Sequence, residues 1–147
     1  MKNPAVLLLI ILIVSSCASM REPVVGTTKG RWTYMGKSSD GTMYHYDKNI
    51  SVDGDSRDVF VKKVIGESTV FDPYKAMLKK VYGESTELSY VILKYRAYCK
   101  DRKVEMISYT DYDPDDKVIL VNDDASMGRM DARPGNMFGS IYRSACI

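Results

Sequence analysis

The sequence is poor in most of the residues that chemistry is built from: one histidine, one tryptophan, three cysteines and three phenylalanines in 147 residues. A lone imidazole, His45, with no nucleophile partner in sight gives acid–base or nucleophilic catalysis little to start from. Charge of one sign is also lacking. The formal net charge is +2, so no global field draws the chain onto nucleic acid. Nor is there an apolar run of the roughly 20 residues that a membrane-spanning helix needs. What is abundant is tyrosine, eleven against the three phenylalanines. The tyrosines alternate with other residues in short runs, which suits strands with one buried and one wetted face. A chain of this length is expected to build one core and one domain.

The N-terminus reads as a targeting segment. Lys2 precedes a wholly apolar run from Ala5 to Val14, and small residues follow in SSCAS, the three-part pattern of an export signal. Val14-Ser15-Ser16-Cys17 has the form of a lipobox, which predicts cleavage between Ser16 and Cys17 and lipidation of Cys17. The competing reading is an ordinary cut nearby, for example after Ala18, which discards Cys17. Cysteine parity favours lipidation, because it leaves Cys99 and Cys146 as a pair in an oxidising compartment. The organisation expected is a signal peptide over residues 1–16, a lipidated Cys17 and tether over 17–30, and a folded domain over 31–147. Ala18 stands where inner-membrane retention calls for Asp, so sorting rules point to the outer membrane of a Gram-negative bacterium. A two- or three-chain anchor holds stably, each buried CH₂ contributing about 0.8 kcal/mol.

Beyond the tether, Arg31 to Lys37 and Thr42 to Asp47 read as a hairpin around Ser38-Ser39-Asp40-Gly41. Trp32, Tyr34 and Gly36 share one face of the first strand; in the second, Tyr44 and Tyr46 lie opposite Met43 and His45. Asp53-Gly54-Asp55 marks a turn before a strand from Asp58 to Ile65, where Val59 and Val61 alternate with Phe60 and Lys62. Tyr74, Met77, Leu78 and Val81 recur at helical spacing, with Asp72 as N-cap and Pro73 in the first turn. Glu87 to Cys99 is a long alternating strand. Val91, Leu93, Tyr95, Ala97 and Cys99 form one face, and Tyr90, Lys94, Arg96 and Tyr98 form a polar face turned outward. Asp101-Arg102 turns the chain into Lys103 to Tyr112, and Asp113-Pro114-Asp115-Asp116 turns it into Val118 to Asn122. Residues from Asp123 to Pro134 look irregular. Gly135 and Asn136 open a last helix with Met137, Ile141, Tyr142 and Ala145 on one face. The fold expected is α+β: a small antiparallel β-sheet of about six strands, a short helix in the middle connection and a C-terminal helix packed on the sheet. A Cys99–Cys146 disulfide would then fasten that helix to the sheet.

In order along the chain, RWTYMGKSSDGTMYHYDKNI, DVFVKK, YRAYCKDRKVEMISYTDYD and PGNMFGSIYRSAC resemble the surface-adhesin protein E-like lipoproteins of Gram-negative bacteria. The likeness covers most of the exported domain; the segment around Phe71 to Tyr82 departs from it in being longer. The resemblance implies a compact antiparallel sheet with a C-terminal helix, a disulfide joining Cys99 to Cys146, a lipid anchor, self-association as a homodimer, and adhesion to host or matrix proteins.

Two features form candidate recognition surfaces. Lys94, Arg96, Lys100, Arg102 and Lys103 cluster around one hairpin, with Tyr98 among them, and a positive patch there would meet an acidic protein or glycan. The plainer reading is that charges at a sheet edge keep strangers from pairing with it. The second feature is the tyrosine set Tyr34, Tyr44, Tyr46, Tyr90, Tyr98, Tyr109 and Tyr112, a residue type enriched in contact surfaces and equally at home at the rim of a core. Asp113, Asp115 and Asp116 lack the glycine and closing glutamate of an EF-hand and read as a solvated turn. Neither a metal nor a cofactor is called for. The function expected is that of a non-enzymatic, lipid-anchored binding or adhesin-like module for a host, matrix or envelope protein or an acidic glycan, without nucleic acid. The alternative is a structural or assembly lipoprotein of the envelope with no host ligand.

Overall fold

A computed structural model describes residues 31–147; the expectations for the leader, Cys17 and the tether lie outside the described residues. The first hairpin joins β1 (Trp32–Lys37) to β2 (Met43–Asp47). Its turn closes with Ser38 N–H on the Thr42 carbonyl at 2.9 Å and Gly41 N–H on Ser38 at 3.0 Å. Gly41 takes φ 90°, a left-handed backbone that glycine adopts without a steric penalty. Next come β3 (Ser51–Asp53), β4 (Ser56–Val64), a 3₁₀ turn at Thr69–Phe71, helix α1 (Asp72–Tyr82), β5 (Tyr90–Tyr98), β6 (Lys103–Tyr112), β7 (Val118–Asn122), β8 (Arg129–Asp131) and helix α2 (Met137–Cys146).

All pairings are antiparallel, in the order β1-β2-β4-β5-β6-β7, with β3 added to β4 and β8 to β6. The architecture is the expected one, an antiparallel sheet with a short helix in the middle connection and the C-terminal helix packed on it. The six strands read from the sequence are the six of the main path. β3 and β8 are additions of three residues each, the second inside the segment read as irregular. At α1 the cap differs from expectation. Phe71 occupies the N-cap with no side-chain bond, and Asp72 is already helical, because the preceding 3₁₀ turn leads the chain directly into the helix.

Alternation along β5 assigns the faces. Val91 packs with Ile65, Leu88 and Leu78 of α1, while Tyr95 and Ala97 pack with Val59, Val61, Val104 and Ile141 of α2; Leu93 touches both clusters. Residues two apart on a strand share a face, so both helices cover the same face. Cys99 and Cys146 are joined by a disulfide with their Cα atoms 5.6 Å apart, and the Tyr142 hydroxyl donates to the Cys99 carbonyl at 2.9 Å. The end of α2 is thereby tied to the end of β5. Asn136 caps the start of α2, its side chain accepting from Gly139 N–H at 2.6 Å. Among the described residues no helix is long and apolar enough to cross a membrane.

Candidate binding face

Among the described residues the other side of the sheet carries no helix. At one end Tyr90, Ile92 and Tyr112 are nevertheless buried, and Trp32, Phe60 and Val64 pack against them. The face read as polar and outward is therefore apolar at its Tyr90 end, where the side chains shield one another. Tyr90 and Tyr112 stack with centroids 4.8 Å apart, and the Lys62 ammonium lies 3.6 Å over the Tyr90 ring, a cation–π contact. The Tyr90 hydroxyl donates to Asp116 at 2.7 Å. Burial, then that hydrogen bond to a carboxylate, pushes its pKa well above the ordinary phenol value.

His45 pairs with Lys62 across β2 and β4, and its ring meets the edge of Tyr34 at 5.4 Å. Its pKa is lowered, first by burial and then by the Lys62 charge, both of which disfavour the imidazolium. Tyr34 is 58% exposed and forms the open rim of the aromatic group.

At the other end lie the residues singled out as basic, and the structure divides them. Lys94, Arg96 and Tyr98 project from β5 on the open face, and Lys103 pairs with Tyr98 across β6. Asp58, the cross-strand partner of Arg96, accepts from Arg96 Nε at 2.7 Å and Nη2 at 3.0 Å and lies 3.0 Å from Lys94 Nζ. Burial raises the Asp58 pKa, but these two cations outweigh it and hold the carboxyl below its usual range. The Tyr98 hydroxyl donates to Glu105 at 2.8 Å, and the Arg129 guanidinium sits 3.8 Å over the Tyr98 ring. Lys100 pairs with Asp55 at 2.5 Å, and with Tyr98 it lines a cleft of about 300 Å³ whose other walls include Asp53, Asp55 and Asp101. Arg102, in the β5–β6 turn at φ 52°, lies 6.0 Å from the Tyr142 ring of α2 and leaves the group.

Lys94 and Arg96 share Asp58 and Lys100 meets Asp55, so carboxylates are interleaved with the cations at this end. The edge-protection reading does not fit, since β5 and β6 are interior strands of the path. Of the tyrosine set, Tyr44, Tyr46 and Tyr109 go beneath the helices, while Tyr34, Tyr90, Tyr98 and Tyr112 serve the open face. Trp32, Phe60 and Lys62 were not singled out, although the alternation of Phe60 and Lys62 with Val59 and Val61 already placed them opposite the core. The Asp113 segment is the turn expected: its carboxylate accepts the N–H groups of Asp115 and Lys117 at 2.9 and 2.8 Å. Among the described residues no three His, Cys, Asp or Glu side chains gather as a metal-holding group. No protein-family model, curated protein or solved structure matches this chain.

Proposed function

We propose that this chain is a lipid-anchored envelope protein akin to the surface-adhesin protein E-like lipoproteins, whose sheet face opposite the two described helices binds a partner outside the cytoplasm. The observation that carries this reading is the one-sided packing. Both helices cover one face, while the other presents Trp32, Tyr34 and Phe60 beside ordered, paired charges. Aromatic groups rimmed by satisfied polar groups are what protein contact surfaces are made of. Because Lys94 and Arg96 already share the Asp58 carboxylate, a protein partner with mixed charges fits this surface better than an acidic glycan, which draws on unpaired cations. Lipidation of Cys17 would anchor the domain at the outer membrane, with the chain up to residue 30 as spacer. The outer edge of β7, last in the strand path, offers a second copy a place to pair, which sedimentation would register as a homodimer.

Surface proteolysis of intact cells, combined with binding of immobilised matrix proteins by those cells, tests the reading. The expected result is loss of the domain to added protease, and binding that falls at least tenfold in Tyr34→Ala. A domain protected in whole cells and cross-linked to envelope proteins would instead assign it the structural role.

A further inference from the structure

We propose that the contact between Asp111 and Tyr74 is a proton-dependent latch that seats helix α1 on the sheet while the Asp111 carboxyl is neutral and loosens the helix as it ionises. Asp111 is fully buried on the helix-covered face of β6. Its Oδ2 accepts from the Tyr74 hydroxyl of α1 at 2.5 Å; its Oδ1, also buried, has no partner among the described residues. Around it, β5 contributes Val91 and Leu93, and β7 contributes Ile119. The titratable groups on this side are few. Tyr109 of β6 shares a hydrogen bond with Tyr74. Lys63 of β4 rests over the Phe71 ring at 4.3 Å and feels the charge of Asp40. Lys75 of α1 is held by the Ser68 carbonyl at 3.4 Å and by Asp72 at 3.6 Å. None of the three supplies Asp111 with a contacting cation.

An ionised carboxylate in such a place has lost its water and gained only one phenolic donor, so the charged form is the costly one. Burial accordingly raises the Asp111 pKa, and the Tyr74 hydrogen bond offsets only part of that rise. Tyr74, itself pushed far up by burial and by Asp111, remains a donor throughout, so Asp111 is the titrating member. The helix it holds has a single fully buried side chain, Leu78, so the latch is a large part of its attachment. Since the folded pKa lies above the unfolded one, the stabilisation is complete below the ordinary aspartate range and is lost as pH rises through the raised value. Within that window one proton is released on opening, so the opening equilibrium of α1 grows by up to about tenfold per pH unit.

Hydrogen exchange of the α1 amides in the full chain, corrected for intrinsic rates and followed across pH, reads this directly. The expected result is protection that falls with rising pH in the wild type and is flat in Asp111→Asn. Tyr74→Phe removes a bond that favours the ionised form, so its protection should be lower throughout and its pH dependence displaced upward. Should Asp111→Asn not fold, the wild-type Asp111 carboxyl carbon shift decides. An inflection above the ordinary aspartate range, shared by the α1 amides, supports the latch. An inflection at or below that range, or pH-independent α1 protection, overturns it.

Discussion

Asp58 and Asp111 are the same residue type, both buried in one sheet, and their surroundings drive them in opposite directions. Asp58 meets Lys94 and Arg96; Asp111 meets a phenol. The Asp58 carboxyl is held below its ordinary value, so its stabilisation is present above the unfolded pKa and is lost as pH falls through the folded one. Replacing it by Asn leaves two cations without their counter-charge, but Lys94 and Arg96 keep side-chain exposures of 30% and 32% and recover hydration. The cost of Asp58→Asn should therefore lie at the modest end for charged hydrogen bonds, about 1–2 kcal/mol at neutral pH. It should shrink toward zero in strong acid, where the wild-type carboxyl is itself protonated. Urea unfolding of both proteins at neutral and acidic pH checks this; a difference that stays constant with pH would show that the lost interaction is not ionic.

At the scale of an element, α2 sets local preference against packing. Gly139 lies inside the helix at an ordinary helical φ, where alanine would gain about 1 kcal/mol from propensity. A Cβ built there meets the Arg133 carbonyl oxygen at 2.0 Å and its carbon at 2.8 Å, backbone atoms that cannot swing aside as a flexible side chain would. Packing wins, and Gly139→Ala should destabilise by about 1–3 kcal/mol net in thermal or chemical unfolding. Asn136→Ala, which removes the 2.6 Å cap, should cost about 1 kcal/mol. The cap was legible in the sequence, as were the two helices and six main strands, because period and turn chemistry are local. The close approach of Gly139 to Arg133 was not, since it depends on how the preceding loop folds back. Bulges at Tyr34/Gly36, Lys94/Tyr95 and Asp111/Tyr112 were equally hidden, because one extra residue breaks an alternation without announcing which neighbour is displaced; β3 and β8 are too short to show a period. The interleaving of charges escaped notice because Asp58 reaches Arg96 from 38 residues away. The basic run was visible, and the carboxylate it shares was not.

The whole molecule is closed by one covalent bond between the end of β5 and the end of α2, across a sequence separation of 47. In the chain-entropy account a loop of that length is worth about 4 kcal/mol, a large share of the stability ordinary for a small domain. Its effect should be uneven. The β4–β5–β6 centre is held by long antiparallel ladders, whereas α2 rests on the sheet through Ile141 and its neighbours and through the Tyr142 bond to the Cys99 carbonyl. Reduction, or the double substitution Cys99→Ser with Cys146→Ser, is expected to lower the unfolding free energy by up to about 4 kcal/mol and to strip exchange protection from α2 before the central strands lose theirs. The same chain made in a reducing compartment should resemble the double variant, and made in an oxidising one should not. That comparison links the fold to the proposed export, since only outside the cytoplasm is the bond expected to persist. If α2 stays fully protected after reduction, the non-covalent packing suffices and the domain's stability carries no signature of its compartment.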